Sequence, residues 1–114
     1  MLTEKDYCDY ETCVALEEVG MLLETQIVRS YAKEGIQTSK IYPNRPSLYE
    51  AQKWLREEKK IEIVVFGTNY IGGPYYPDIF TGDGLMNRAK GYESYEEALL
   101  EGIKEAIKLL KEEK

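Results

Sequence analysis

Apolar residues recur every three or four positions in three stretches of the chain, which is the spacing of one helix face. The stretches run over about Asp9–Val19, Ser47–Lys59 and Ser94–Glu112. In the last two, the starting serine is followed at the third position by Glu50 or Glu97, which is the capping-box arrangement of a helix N-terminus. The pattern therefore predicts three helices.

The stretches between the predicted helices are rich in β-branched and aromatic residues and predict strands. Thr25–Ala32 and Ile36–Tyr42 are separated by a short loop that contains glycine, which predicts a hairpin. Ile61–Phe66 is the most apolar run and is typical of a central strand. Tyr75–Thr81 follows a Gly-Gly-Pro turn, and Pro77 favours an edge position for it because proline cannot donate to the ladder.

The order of these elements is helix, hairpin, helix, hairpin, helix, which predicts an α+β fold. Hairpins imply antiparallel pairing, so we expect a sheet of about four antiparallel strands with three helices on one face. The segment Leu85–Gly91 stays unassigned. A chain of 114 residues is long enough for one hydrophobic core, so we expect a single domain over residues 1–114.

The chain is acidic, with 15 Lys and Arg residues against 21 Asp and Glu residues and a formal net charge of −6. This charge repels a phosphate backbone and disfavours general nucleic-acid binding. The acidity is concentrated at the two ends, with −5 in residues 1–20 and −3 in residues 91–114. The sequence shows neither a charged leader followed by an apolar run nor the ~20 apolar residues of a membrane span, so we expect a cytoplasmic protein.

Side chains suited to catalysis or metal binding are sparse. The absence of histidine removes the commonest general base and the commonest nitrogen ligand. We expect Cys8 and Cys13, the only two cysteines, to be reduced and structural. Asp78 and Asp83 lie near glycines and are typical of turns, and the glycines form no nucleotide-binding motif. We therefore expect no catalytic residue, no metal, no cofactor and no enzymatic activity.

Tyrosine is the one compositional outlier, with ten residues. The densest group is Tyr70, Tyr75 and Tyr76, on either side of a Gly-Gly-Pro turn that would present their rings on a constrained backbone. Tyrosine is enriched in recognition surfaces because its large rigid ring ends in a polar group. This group predicts a partner-binding loop. The alternative is that Tyr70 and Tyr76 are half-buried strand residues.

The first hairpin carries a second candidate surface. Period-two alternation places Arg29 and Tyr31 on one face of their strand, and Lys40 and Tyr42 on one face of the next. A face that mixes basic and aromatic side chains suits stacking on single-stranded bases and contact with phosphates. A solvated outer face of a sheet explains the same residues.

Two segments give the chain a resemblance to a known group. Tyr42–Glu57 and Gly91–Leu99 look like the corresponding parts of small uncharacterised proteins from Bacteroidetes gut bacteria and their phages or prophages. The shared residues are helix caps and core positions, so the resemblance implies a shared fold and a mobile-element origin. It implies no catalytic residues.

The leading hypothesis is a non-enzymatic module that binds a protein partner through the Tyr70–Tyr76 loop or an open sheet face. A first alternative is an acidic mimic of nucleic acid formed by the two chain ends, and a second is a small single-strand nucleic-acid binder. A histidine-free enzyme is the least favoured. Homodimerisation through an unpaired strand edge, or through Leu100 and Leu109 of the last helix, is also open.

Overall fold

The computed structural model describes residues 2–67, 74–82, 84–88 and 91–112. Its helices are α1 (Tyr10–Glu18), α2 (Leu48–Lys59) and α3 (Tyr95–Glu112), with a 3-10 turn at Glu4–Asp6 ahead of α1. All three predicted helices are confirmed, and each begins one residue after its predicted cap.

Side-chain caps explain where the helices begin. The Asp9 carboxylate accepts a hydrogen bond from the Thr12 N–H at 2.8 Å. Ser47 Oγ accepts from the Glu50 N–H and the Glu50 carboxylate accepts from the Ser47 N–H, both at 3.1 Å, so the predicted capping box is formed. The Ser94 hydroxyl accepts a similar bond at the start of α3. These bonds satisfy helix N–H groups that have no partner within the helix.

The strands form two separate antiparallel sheets, which corrects the expectation of one sheet of about four strands. They are β1 (Gln26–Ala32), β2 (Gly35–Ile41), β3 (Glu62–Gly67), β4 (Tyr75–Thr81) and β5 (Gly84–Arg88). β1 and β2 form a two-stranded sheet, while β3, β4 and β5 form a three-stranded sheet in that order. The α+β class, the antiparallel pairing and the alternation of helices and hairpins are confirmed. β5 lies in the segment left unassigned and adds one strand to the second hairpin.

The positions of β3 and β4 within their sheet are the reverse of the prediction. β4 lies in the middle although it contains a proline. The described pairing of β4 with β5 begins at Asp78, so Pro77 lies just past its end and interrupts none of the described pairs on that side. β3 is an edge strand, and Gln52 of α2 covers that edge by donating a hydrogen bond to the Ile63 carbonyl at 2.7 Å.

The core lies where α3 crosses β3 and β4, with α1 and α2 packed beside it. A Cβ atom at Gly102 of α3 would stand 2.7 Å from Ile63 Cγ2 and 3.0 Å from Pro77 Cβ, so the helix lies very close to the sheet. The largest fully buried apolar side chains of the core are Leu16, Leu48, Leu55, Ile63, Ile79, Leu99 and Ile103.

The β1–β2 hairpin stands apart from this core. Every described side chain from Gln26 to Ser39 is exposed. The molecule measures 52 × 31 × 27 Å and has a radius of gyration of 16.2 Å, whereas a compact chain of this length has a radius of about 13 Å. We call residues Gln26–Ile41 the arm and the rest of the chain the body.

Candidate protein-binding surface

Two of the three tyrosines predicted to form a partner-binding loop, Tyr75 and Tyr76, lie in β4. Tyr70 lies outside the described residues. Tyr75 and Tyr76 are both half-buried. Because they are consecutive in a strand, their side chains point to opposite faces of β4. The Tyr75 backbone exchanges hydrogen bonds of 3.1 and 2.8 Å with Tyr92, and its ring meets the Tyr95 ring edge to face at 6.2 Å between centroids. Tyr75 therefore connects β4 to the start of α3.

Two of the four proposed nucleic-acid contacts are held at the base of the arm. Lys40 Nζ donates to Glu17 Oε1 at 2.7 Å, and the buried Tyr42 hydroxyl donates to the same oxygen at 2.5 Å. The Tyr10 ring packs edge to face on the Tyr42 ring, with 5.5 Å between centroids. We call Glu17, Lys40 and Tyr42 the Glu17 cluster. It attaches the arm to α1.

The electrostatics of the Glu17 cluster agree with its geometry. The hydrogen bonds from Lys40 and then Tyr42 lower the pKa of Glu17 below its ordinary value. Burial, followed by the hydrogen bond to Glu17, raises the pKa of Tyr42. Glu17 therefore stays ionised and Tyr42 stays a neutral donor around neutral pH. Lys40 and Tyr42 could contact nucleic acid only if their hydrogen bonds to Glu17 were broken.

The other two proposed contacts lie in solvent on the arm. The register pairs Arg29 with Thr38 and Tyr31 with Ile36, so Arg29 and Tyr31 share one face as predicted. Tyr31 is 84% exposed. The arm carries three basic residues and one acidic residue, a formal charge of +2, which leaves −8 on the body from the total of −6.

The arm also exposes apolar side chains on both of its faces. Ile27 and Ile36 lie on the face of Tyr31 and are 63% and 62% exposed. Val28 and Ile41 lie on the opposite face and are also exposed. A hairpin that packs on a core has one apolar face and one polar face. Sequence reasoning passed over this feature, although the apolar pair at positions 27 and 28 indicated it.

The arm's backbone edges are a further binding feature. The arm is a sheet of two strands, so each strand has one partner among the described residues. Unpaired edges offer rows of N–H and C=O groups to another strand. A two-stranded hairpin is at best marginally stable alone in water, and adding strands stabilises it.

Four carboxylates of the acidic N-terminal segment form ion pairs, two of them with lysines of the acidic C-terminal segment. The pairs with Lys104 and Lys111 leave the combined charge of the two ends unchanged, so only the pairs with Arg45 and Lys40 weaken the acidic surface that a nucleic-acid mimic needs. The ion pairs are Glu4 with Arg45 at 2.6 Å, Asp9 with Lys104 at 3.8 Å, Glu17 with Lys40 at 2.7 Å and Glu18 with Lys111 at 3.0 Å.

Among the described residues the remaining candidate chemistry gives no assembled site. Asp78 is buried within β4 and not in a turn, which corrects the expectation, and Asp83 lies outside the described residues. Cys8 and Cys13 are free and buried, and burial raises the pKa of the Cys8 thiol to about 12. Burial also raises the pKa of the Cys13 thiol. Within the described ranges, no group of three or more Cys, Asp and Glu side chains is arranged to hold a metal ion. Among the same residues, no helix is both long and apolar enough to cross a membrane.

Comparison with known proteins yields no relative: no protein-family model, no curated protein and no solved structure matches the chain. The most distinctive feature of the described surface is the arm.

Proposed function

We propose that the protein is a non-enzymatic protein-binding module and that the arm is its binding element. The observation that carries the proposal is the exposure of Ile27, Tyr31 and Ile36 on one face of a hairpin whose strand edges are unpaired among the described residues. On that face Tyr31 and Ile36 are cross-strand neighbours, and the Arg29–Thr38 pair separates them from Ile27. Exposed apolar side chains that lie together mark interaction sites, and tyrosine is enriched at the centre of interfaces. Backbone edges add a second means of attachment, by strand addition.

The attachment of the arm to the body favours binding. The Glu17 cluster fixes the arm at Lys40 and Tyr42, which are the end of β2 and the residue just beyond it. A binding element that is already oriented loses less conformational entropy when it meets a partner. We propose that the cluster directs the arm away from the acidic body.

A photocrosslinking amino acid incorporated at Tyr31 tests this proposal in cells that express the full chain. We expect crosslinks to a protein from Tyr31 and none from Lys53, which is exposed on α2 and serves as the matched control. A crosslinker at Phe66, which is exposed on β3, tests the three-stranded sheet as the binding face instead. Equal yields from positions 31 and 53, or no product from position 31, would contradict the proposal.

A single-strand nucleic-acid binder is a second candidate, favoured by Arg29 and Tyr31 on one exposed face of a basic arm. We place it second because Lys40 and Tyr42 are bound to Glu17 and the body carries −8. Fluorescence anisotropy with a labelled single-stranded oligonucleotide tests it: salt-sensitive binding that Arg29→Ala weakens would support this candidate. A cytoplasmic location and a mobile-element origin remain proposals from the sequence.

A further inference from the structure

We infer that the partner of the arm is a second copy of this chain, which pairs β2 with β2 about a two-fold axis to form a four-stranded antiparallel sheet. This inference rests on the proposed function, since it names the occupant of the arm. Three observations support this inference. The distribution of charge along the two edges of the arm selects β2, and the sequence of β2 around Thr38 gives the register. The contrast in charge between arm and body favours contact between two copies through their arms.

The two edges of the arm differ in how they are protected. Charged side chains in the middle of an edge strand prevent unwanted pairing. β1 carries Arg29 at its centre, and self-pairing about that residue would place two guanidinium groups opposite each other. β2 has no charged residue from Gly35 to Ser39, and every residue of that segment is exposed. β2 is therefore the edge open to strand addition.

The sequence of β2 fits antiparallel pairing with itself about Thr38. Thr38 then lies opposite Thr38 of the second copy, and Gln37 lies opposite Ser39. Ile36 lies opposite Lys40, so the two lysines do not face each other. Cross-strand threonine pairs stabilise antiparallel sheets, whereas like charges directly opposite destabilise them.

The faces of the arm also agree with this register. Ile36, Thr38 and Lys40 share one face of β2, together with Ile27, Arg29 and Tyr31 of β1. Residues opposite each other in an antiparallel pair lie on the same face. The exposed Tyr31 and Ile36 side chains of both copies therefore lie on one side of the four-stranded sheet.

Charge favours a dimer made through the arms over one made through the bodies, because two arms of +2 each repel less than two bodies of −8 each. Two bodies of −8 each repel when their surfaces meet. Antiparallel pairing places the bodies at opposite ends of strands of seven residues, which span about 20 Å. That separation exceeds the Debye length of about 8 Å at physiological salt. The two Arg29 residues lie on the outer strands, about 14 Å apart across three strand spacings.

The size of the contact sets the expected strength. Pairing along one edge of seven residues buries less than the standard interface of about 1,600 Å². We therefore expect a reversible dimer with a dissociation constant in the micromolar range, in exchange with the monomer.

Disulfide trapping tests the edge and the register together. In the paired sheet the two Thr38 Cα atoms would lie about 4.5–5.5 Å apart, within the range that a disulfide spans. We expect mild oxidation of the full-length Thr38→Cys variant to give a covalent dimer. Arg29→Cys is the matched control because Arg29 lies opposite Thr38 on the other strand of the same arm. The parent chain controls for Cys8 and Cys13, whose thiols are buried.

Charge variants give a second measurement, which needs no oxidation. Thr38→Lys places two ammonium groups opposite each other and should raise the dimer dissociation constant about fivefold in sedimentation equilibrium. Ser30→Lys adds the same charge to β1 and should change it by less than about twofold. Sedimentation of the unmodified chain should show a monomer–dimer equilibrium at micromolar concentrations.

Several outcomes would overturn the inference. A chain that stays monomeric at high micromolar concentration refutes it, and so does a covalent dimer from Arg29→Cys without one from Thr38→Cys. If the crosslinker at Tyr31 captures a different protein while the chain is monomeric, the proposed function stands and the self-pairing fails. If position 31 yields no crosslink and the chain is monomeric, both fail.

Discussion

Replacing Gly102 by alanine sets two opposing effects against each other in the core. In a helix interior, alanine is more favourable than glycine by about 1 kcal/mol. Gly102, however, lies near the middle of α3, where an added methyl group would stand 2.7 Å from Ile63 Cγ2 and 3.0 Å from Pro77 Cβ. The first distance is shorter than real carbon contacts, so either the helix or the sheet must move.

The steric effect should dominate because neither neighbour is the free end of a flexible side chain. Ile63 is fully buried and β-branched, which restricts its χ1 angle, and Pro77 is a ring within a paired strand. Overpacking of a well-packed core costs about 1–3 kcal/mol. After the gain in helix propensity of about 1 kcal/mol, we expect Gly102→Ala to lower the free energy of unfolding by up to about 2 kcal/mol.

Equilibrium unfolding in urea, followed by the fluorescence of the single tryptophan, Trp54, measures this change. A double-mutant cycle locates its cause. Ile63→Ala removes Cγ2, so Gly102→Ala should cost less in that background, whereas Ile63→Val keeps a γ carbon at that place and should give no relief. A Gly102→Ala variant about 1 kcal/mol more stable than the parent would refute the close approach of α3 to the sheet.

Three further predictions concern single groups. The hydrogen bond from Lys40 lowers the pKa of Glu17. The stabilisation from the Glu17 cluster should therefore be complete above pH 4.5, the ordinary pKa, and be lost as the pH falls through the lowered pKa. A carboxyl NMR titration of Glu17 with a pKa at or above 4.5 would contradict this. Ser47→Ala removes the cap of α2 and should cost about 1 kcal/mol in urea unfolding, and an unchanged midpoint would count against the capping box. Native Cys8 and Cys13 should resist Ellman's reagent and react in urea, whereas fast reaction of the native chain would contradict their burial.

The parts of the fold that follow from local chemistry were predictable from the sequence. The cap at Ser47 and the cap at Ser94 need only residues three positions away, and each helix begins where its cap indicated. The β1–β2 hairpin likewise follows from two strand-like runs and one glycine. Local patterns do not determine whether the hairpins pair with each other in one sheet. Two hairpins can share one sheet or form two, and that choice depends on packing between residues far apart in the chain.

Pro77 shows how a sound local rule can give the wrong position. Proline disfavours a central strand because it lacks an N–H donor. The rule assumes that pairing extends past the proline on both sides, but the described β5 pairing begins at Asp78. β5 lies in the segment that the sequence left unassigned. Its described pairing with β4 stops short of Pro77, so β4 can be the middle strand despite its proline.

The candidate surface was predicted in part. Alternation correctly placed Arg29 and Tyr31 on one face, since period two is a local property of a strand. Lys40 and Tyr42 follow the same alternation, yet Glu17 binds both from a position 23 and 25 residues earlier in the sequence. No spacing rule identifies such a partner. Arg29 and Tyr31 are left as the exposed pair.

The arm and the body differ in how much apolar surface they bury and in the sign of their charge. The body obtains its stability from apolar side chains buried among α1, α2, α3 and the three-stranded sheet, and it carries the negative charge. The arm buries little, so its own strands gain little from the hydrophobic effect. Ile27 and Val28 point to opposite faces of β1 and are 63% and 43% exposed, so each keeps a large part of its apolar surface in water. A second layer packed against the faces of the arm would bury those side chains, which the monomer leaves in contact with water.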